Sequence, residues 1–337
     1  MERVDAVEDQ SSTDTGVSNP RSSVDCVYIA ASASDARYTR ICVASVRYFY
    51  PEIPILLLVG GALQRGLAAE LRRYWNVRIA NLPTYGDYGW GFVKLEALFG
   101  PPGERFLVLD SDTVLAGPVL GLWNEDGAPF LVDDEKQPDD DKKCLYYDWE
   151  KVLQIDPTAR PPEFAFNSGQ WFGTAGVLTR NDFAPGLAWT MPRSTIPPGY
   201  FANGEQGILN YVLNRKVAME GLWVQRTEIM RWPGHSMEGL NAESIAKRTA
   251  LPLVIHWAGM KKTALRRMAG GDILRFFEKL YYTRLPAGRV RRWFAICQHF
   301  LIHRLQWVRV RVKLTYRRME TAIRGRFFER VNQPVGM

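Results

Sequence analysis

Between residues 24 and 109, short apolar runs of strand length alternate with stretches of helical spacing, and this alternation restricts the fold more than any other feature of the chain. Residues 24–30 are apolar and β-branched. Residues 35–50 place Tyr38, Ile41, Cys42, Ser45 and Phe49 at helical spacing before Pro51. A continuous apolar strand over 53–59 closes at Gly60-Gly61; an amphipathic helix follows over 63–75, then a third strand over 77–82. A helix over 91–99 ends at Gly100-Pro101-Pro102 and leads to a strand over 105–109. Strands that alternate with helices pair in parallel, because each helical crossover returns the chain to the same end of the sheet. These strands are apolar throughout rather than at every second residue, so helices are expected on both faces. The expected class is α/β, with a Rossmann-like, mostly parallel sheet.

The last of these strands, Phe106-Leu107-Val108-Leu109, runs directly into Asp110-Ser111-Asp112. Buried carboxylates are costly unless they are paired or bound to a metal. The carboxyl end of a strand is where α/β sheets collect ligands. The pair therefore points to a divalent cation and, with it, a phosphate-bearing substrate. Two chemistries place D-x-D after an apolar strand. One is metal-dependent glycosyl transfer, in which the acids hold Mn2+ or Mg2+ against a nucleotide diphosphate. The other is the haloacid-dehalogenase type of phosphatase, in which Asp110 would be the nucleophile and whose motif also fits Asp110 to Val114. Three predicted strands precede the pair, whereas the phosphatase nucleophile ends the first strand of its domain. That position leaves room for a nucleotide pocket ahead of the acids.

Past Asp112 the pattern is less regular. Asp133-Asp134-Glu135 and Asp139-Asp140-Asp141 read as a solvated loop, with a mobile lid or acceptor-binding segment as the alternative. Residues 164–169 return to strand-like character, as do 173–179; 205–213 read as a helix and 251–255 as a buried strand ending at His256. His256 opens the pattern His256-x-x-Gly259-x-x-Lys262. A neutral imidazole is a good third ligand for a cation held by two carboxylates. Gly259 permits close backbone approach to a diphosphate, and Lys262 supplies positive charge.

In order along the chain, Val93-Lys94-Leu95, the D-x-D strand, Phe166-Asn167-Ser168-Gly169, Gly204-Glu205-Gln206-Gly207-Ile208-Leu209-Asn210 and the His256 to Lys262 segment resemble glycosyltransferase family 8. These are retaining GT-A enzymes, and the glycogenin-like branch is the most similar. The resemblance covers residues 24–262. It implies that Asp110, Asp112 and His256 bind Mn2+ or Mg2+, with Asp110 and Ser111 also beside a UDP-sugar donor. Gly259 and Lys262 would hold the diphosphate, and Lys94 would lie near the donor phosphates or the sugar. Asn167, Glu205 and Gln206 would line the sugar pocket, with Gln206 a polar stabiliser beneath the anomeric carbon. Asp35 and Tyr38 would touch the base, Tyr38 by stacking. The chain departs from the family in carrying Glu205 where Asp is usual, and Thr263-Ala264 where Pro-Trp follows the last lysine.

The 337 residues are 46% hydrophobic, enough for a substantial core. Cys26, Cys42, Cys144 and Cys297 show no C-x-x-C spacing, which argues against a zinc site or disulfide framework and fits a reducing compartment. Residues 1–23 are polar, without the apolar stretch of a secretory signal, and read as a disordered segment. No run of about eighteen apolar residues is present, so no membrane span is expected. From Arg284 to Arg330 there are thirteen Lys or Arg against two acids, a surplus larger than the net charge of +7 for the whole chain. Apolar residues from Phe294 to Phe327 recur at steps of three and four, as on one stripe of a basic amphipathic helix, although Val308 to Leu314 also alternates like a strand. Such a helix would pack on the domain or a second subunit, or lie on an anionic membrane with Trp293 and Trp307 at its interface. No nucleic-acid motif accompanies the charge.

The domains expected are thus a disordered 1–23, a GT-A domain over 24–280 and a basic helical extension over 281–337. The activity expected is nucleotide-sugar-dependent hexosyl transfer to an acceptor hydroxyl on a glycan, protein or lipid. The location expected is cytoplasmic, with peripheral attachment to the membrane. The alternative outside catalysis is a membrane- or partner-binding scaffold on the same fold.

Overall fold

The computed structural model describes residues 24–82, 88–89, 91–123, 127–136, 138–235, 237–261, 263–298 and 301. In chain order its strands are β1 (Cys26–Ala31), β2 (Ile55–Val59), β3 (Val77–Ile79), β4 (Arg105–Asp110), β5 (Thr113–Leu115), β6 (Phe130–Asp133), β7 (Gln170–Thr174), β8 (Leu187–Ala188), β9 (Ser194–Thr195), β10 (Val224–Thr227), β11 (Met230–Arg231) and β12 (Val254–His256). Its helices are α1 (Ala36–Phe49), α2 (Leu67–Trp75), α3 (Asp139–Leu145), α4 (Trp149–Val152), α5 (Glu205–Glu220), α6 (Ala242–Ala246) and α7 (Gly271–Thr283). The stretch expected as a helix over 91–99 is wound as a 3-10 helix, Phe92–Phe99, with residues 92–98 all buried.

Seven strands form the main sheet in the order β10-β6-β7-β4-β1-β2-β3. The pairs β1–β2, β2–β3, β1–β4 and β6–β10 are parallel, while β7 runs antiparallel between β4 and β6. The mixed α/β architecture expected from the alternation is present. Side chains leave successive residues of a strand on opposite faces, and both faces are filled. On one, Val27, Ile29, Leu107 and Leu109 meet α1, α2 and α7. On the other, Tyr28, Phe106 and Val108 join Trp171 and α5. Trp75 of α2 stacks on Tyr281 of α7 at 4.9 Å, and this contact docks α7 across the sheet. Arg47 is buried in α1 and donates to the carbonyls of Trp75 and Asn76, so it satisfies groups that the end of α2 leaves open. Burial lowers its pKa to about 10.

Two expectations change. Residues 164–169 do not form a strand, and 168–169 make a turn. Their backbone polar groups are taken by a ladder of amides on α5: Asn214 pairs with the N–H and C=O of Phe164, Asn210 with those of Phe166, and Gln206 accepts from Ser168 N–H. Side chains four residues apart share one helix face, so α5 replaces a neighbouring strand. The sheet strand begins only at Gln170. The acidic stretch is solvated at Asp139, Asp140 and Asp141 but is not a loop there. Asp139, Asp140 and Asp141 occupy the first turn of α3, where carboxylates complement the helix dipole. Asp133 ends β6 and is 5% exposed, with Oδ1 accepting from Ile229 N–H at 2.8 Å and Met230 N–H at 2.9 Å.

All four cysteines are free. Among the described residues no helix is long and apolar enough to cross a membrane. Residues 288–298 are helical. Arg291 and Arg292 tie this helix to the domain through Glu70 at 3.7 Å and Glu278 at 3.2 Å, while Trp293 and Phe294 stay exposed. Past Leu301 the apolar stripe, including the 308–314 alternation and Trp307, lies outside the described residues, as do residues 1–23.

Burial pushes the Asp133 carboxyl up to about 6, against the lowering effect of its two N–H bonds. Its folded pKa therefore stands above the unfolded value, and its contribution to stability falls as pH rises between about 4 and 6. Asp133→Asn keeps an acceptor for both N–H groups. We expect this variant to exceed the wild type in stability above pH 6, by at most about 3 kcal/mol, and to match it at pH 4 in thermal unfolding. An advantage that persists at pH 4 would rule out the buried charge as its source.

Candidate functional site

The chain adds β2 and β3 on one side of β1 and then crosses to add β4 on the other, so the order reverses between β1 and β4. The carboxyl ends of parallel strands at such a switch point border a crevice. Asp110 is the last residue of β4, opposite Ala30 of β1. The two residues after it lead into β5, which pairs antiparallel with β12 so that Thr113 faces His256. Trp257 N–H donates to Asp112 O at 3.0 Å and locks this register. His256 is thereby carried to the acid pair: its Nε2 lies 3.4 Å from Asp112 Oδ1 and 3.9 Å from Asp110 Oδ2. On the other side of β4, Asp110 N–H donates to Gly169 O at 2.7 Å, which brings Asn167 and Ser168 to the same place. The crevice is a cleft of about 790 Å³.

One ligand atom from each of Asp110, Asp112 and His256 lies within 4.8 Å of the others. Donors that share a cation bound at about 2.1 Å sit roughly 3–4 Å apart, so the three fit such an ion with little movement. Two carboxylates and an imidazole suit Mn2+ or Mg2+ better than a thiolate-seeking metal. The other imidazole nitrogen, Nδ1, is buried without a hydrogen-bond partner. A Cβ on Gly169 would crowd the same ring, so glycine there gives His256 its place. Asp112 divides its oxygens: Oδ1 faces His256, and Oδ2 meets Lys261 Nζ at 3.3 Å. Burial works to raise the Asp112 carboxyl, but the hydrogen bond from His256 and the charges of His256 and Lys261 bring it down to about 2.

Lys94 is the second centre. Its ammonium is buried, 2.6 Å from Glu205 Oε1 and 3.1 Å from Asp110 Oδ1, and it donates to Ser168 O and Oγ at 3.1 Å. Burial opposes its charge, yet the two carboxylates hold its pKa above the ordinary lysine value. Glu205 also accepts from Ser168 Oγ at 2.9 Å; burial pushes its carboxyl up against the pull of Lys94. Gln206 Oε1 accepts from Asn167 Nδ2 at 3.1 Å and Ser168 N–H at 3.2 Å, while Nε2 donates to Leu145 O at 3.2 Å. With its oxygen and its nitrogen both bound, Gln206 is a fixed polar group.

Of the residues picked out from sequence, Asp35, Lys94, Asp110, Ser111, Asp112, Asn167, Glu205, Gln206, His256 and Gly259 all line this cleft. Gly259 has φ +72 with open space where a Cβ would stand. Tyr38 does not join them. It belongs to the buried stripe of α1, is 1% exposed, and directs its hydroxyl to Met268 Sδ at 3.7 Å, so its ring is not available to stack on a base. Lys262 lies outside the described residues. Sequence reasoning gave no role to Lys261, which spans Asp35 Oδ1 (3.1 Å) and Asp112, although it stands in the same motif. It also missed Trp232, which stacks on His256 at 5.2 Å, and Glu135, which accepts from Trp232 Nε1 at 3.4 Å and from the Tyr146 hydroxyl. Nothing local marks Trp232; only the path of β11 beside β12 brings it in.

The architecture is that of the GT-A glycosyltransferases. Among solved structures the chain is similar to the galactosyltransferase LgtC in complex with donor and acceptor sugar analogs, with a TM-score of 0.50 and 17% identity over 76% of this chain and 95% of that one. It also resembles the bifunctional glycosyltransferase WbbM (TM-score 0.48, 14% identity, 77% of this chain) and GlyE of Streptococcus pneumoniae (0.46, 13%, 81%). It spans about half of WbbM (49%) and 63% of GlyE. No protein-family model and no curated protein matches the sequence. At these identities the likeness establishes the fold.

If His256 completes a cation site, His256→Ala should raise the Mn2+ concentration for half-saturation at least ~tenfold, read by electron paramagnetic resonance of free Mn2+. An unchanged titration would make His256 structural.

Proposed function

We propose that this protein is a metal-dependent glycosyltransferase that moves a sugar from a nucleotide-sugar, with a UDP-sugar as the donor, to an acceptor hydroxyl with retention of configuration. The observation that carries the reading is the register of β5 against β12, which sets an imidazole beside two strand-end carboxylates in the cleft at the switch point. The catalytic domain is residues 24–280, and retention follows from the resemblance to family 8.

In this reading Asp110, Asp112 and His256 hold Mn2+ or Mg2+, which when bound screens the diphosphate and favours its departure. Among the described residues the cleft is lined by five carboxylates (Asp35, Asp110, Asp112, Glu135 and Glu205) against two lysines, so a polyanionic donor needs that cation to enter. Lys261, Lys262 and the backbone at Gly259 add positive charge and N–H groups where charge grows on the leaving phosphate. Ser111 and Asp35 border the nucleoside. Asn167, Gln206 and the Lys94–Glu205 pair face the sugar. Gln206 is held at both ends and stabilises the anomeric centre as a dipole rather than attacking it. A phospho-aspartate at Asp110 has less support, because Asp110 ends the fourth strand of the chain and its carboxylate is already shared with Lys94.

The basic segment 281–337 would rest on an anionic membrane and bring the cleft to a lipid-linked acceptor. Support comes from exposed Trp293 and Phe294 beside a run of arginines.

Two measurements test these readings. Asp112→Asn should lose Mn2+-dependent UDP-sugar hydrolysis by ~10²-fold or more while its melting temperature stays near wild type; full activity would defeat the proposal. Removal of 302–337 should reduce co-sedimentation with phosphatidylglycerol vesicles, and equal binding by both forms would remove the membrane role.

A further inference from the structure

Glu205 is longer by one methylene than the aspartate usual in the family it resembles. It nevertheless ends 2.6 Å from Lys94 Nζ and accepts from Ser168 Oγ at 2.9 Å. Room for it comes from Gly91, the residue before the 3-10 helix that carries Lys94. A Cβ built on Gly91 would lie no farther than 2.5 Å from all three atoms of the Glu205 carboxylate. Glu205 is 5% exposed, and swinging it aside breaks both of its polar contacts.

We propose that Gly91 and Glu205 are a matched pair: the notch at Gly91 lets Glu205 hold Lys94 as its closest partner, and that hold keeps the ammonium from settling fully on Asp110, the cation ligand. The inference rests on the reading of Asp110 as a cation ligand. Lys94 has two carboxylate partners, Glu205 at 2.6 Å and, at longer range, both oxygens of Asp110 at 3.1 and 3.3 Å. When Glu205 is displaced, Asp110 becomes the nearest carboxylate to a buried ammonium that must be compensated. A lysine fixed on Asp110 competes with a metal ion for the same oxygens. Gly91 and Glu205 are thus positioning residues for the cation site. They act through Lys94, and neither belongs to the Asp110, Asp112 and His256 cluster.

The test compares Gly91→Ala, Glu205→Asp and the double variant in the full chain, by Mn2+ titration followed by electron paramagnetic resonance and by thermal unfolding. Gly91→Ala should weaken Mn2+ binding by ~10-fold or more, in the range expected for a partner of a ligand. Glu205→Asp shortens the side chain away from the new methyl at constant charge, so the double variant should bind Mn2+ within about twofold of Glu205→Asp alone, a departure from additivity. Alanine at φ +78 is strained whichever acid stands at 205, and that cost cancels in the comparison. The melting temperature should follow the same order, with Glu205→Asp recovering part of what Gly91→Ala loses. If Gly91→Ala does not fold, recovery of a cooperative transition in the double variant supports the pair. Losses that simply add, or a double variant no better than Gly91→Ala, overturn it. If the wild type takes up no Mn2+, the cation reading fails by itself, while the melting temperatures still decide whether the notch is matched to Glu205.

Discussion

The ammonium of Lys94 is buried beneath the cleft, and the structure around it is arranged by the need to compensate that charge. An unpaired ammonium in the interior would carry a large desolvation cost. The cost of burying Lys94, on the 3-10 helix, is offset by groups from three other places in the chain: Asp110 at the end of β4, Glu205 at the start of α5, and the carbonyl and hydroxyl of Ser168. These segments are far apart in sequence. Lys94 therefore pins the ends of β4 and α5 and the 164–169 segment to one point. The amide ladder of Gln206, Asn210 and Asn214 continues this attachment along α5.

The same centre links fold and chemistry. Asp110 meets Lys94 with both oxygens, Oδ1 at 3.1 Å and Oδ2 at 3.3 Å, and Oδ2 also faces His256 at 3.9 Å. Asp112 divides its oxygens, Oδ1 to His256 and Oδ2 to Lys261. Each acid of the pair is thus held by a lysine on one side and directed at His256 on the other. A site built in this way is held in place before a ligand arrives, which is the condition for fixed dipoles to favour developing charge.

Much of this was legible from residue order. The four strands up to Asp110 and the first two helices lie where hydrophobic spacing placed them, because local burial on both faces leaves a direct pattern. The acid pair was legible for a similar reason: two carboxylates after an aliphatic run have no packing explanation. The failures share a cause. Residues 164–169 look like a strand, and only the amides of α5 decide that they pair with side chains instead. Asp133 looks solvated beside Asp134 and Glu135, yet two backbone N–H groups from 229–230 draw it into the interior. Tyr38 sits near the first loop in sequence, but the apolar stripe of α1 turns it into the core.

By itself the sequence determined the α/β class, the order of the strands and helices up to β4, and the presence of a charged site at the end of that strand. Those features depend on contacts between near neighbours and on the period of the chain. Which groups complete the site was decided only in three dimensions. The pairing of Thr113 with His256, the reach of Lys261 to Asp35 and Asp112, the stacking of Trp232 and the notch at Gly91 all depend on register between distant segments. Register is set by the sum of packing and hydrogen bonds across the sheet, and no single stretch of residues contains it.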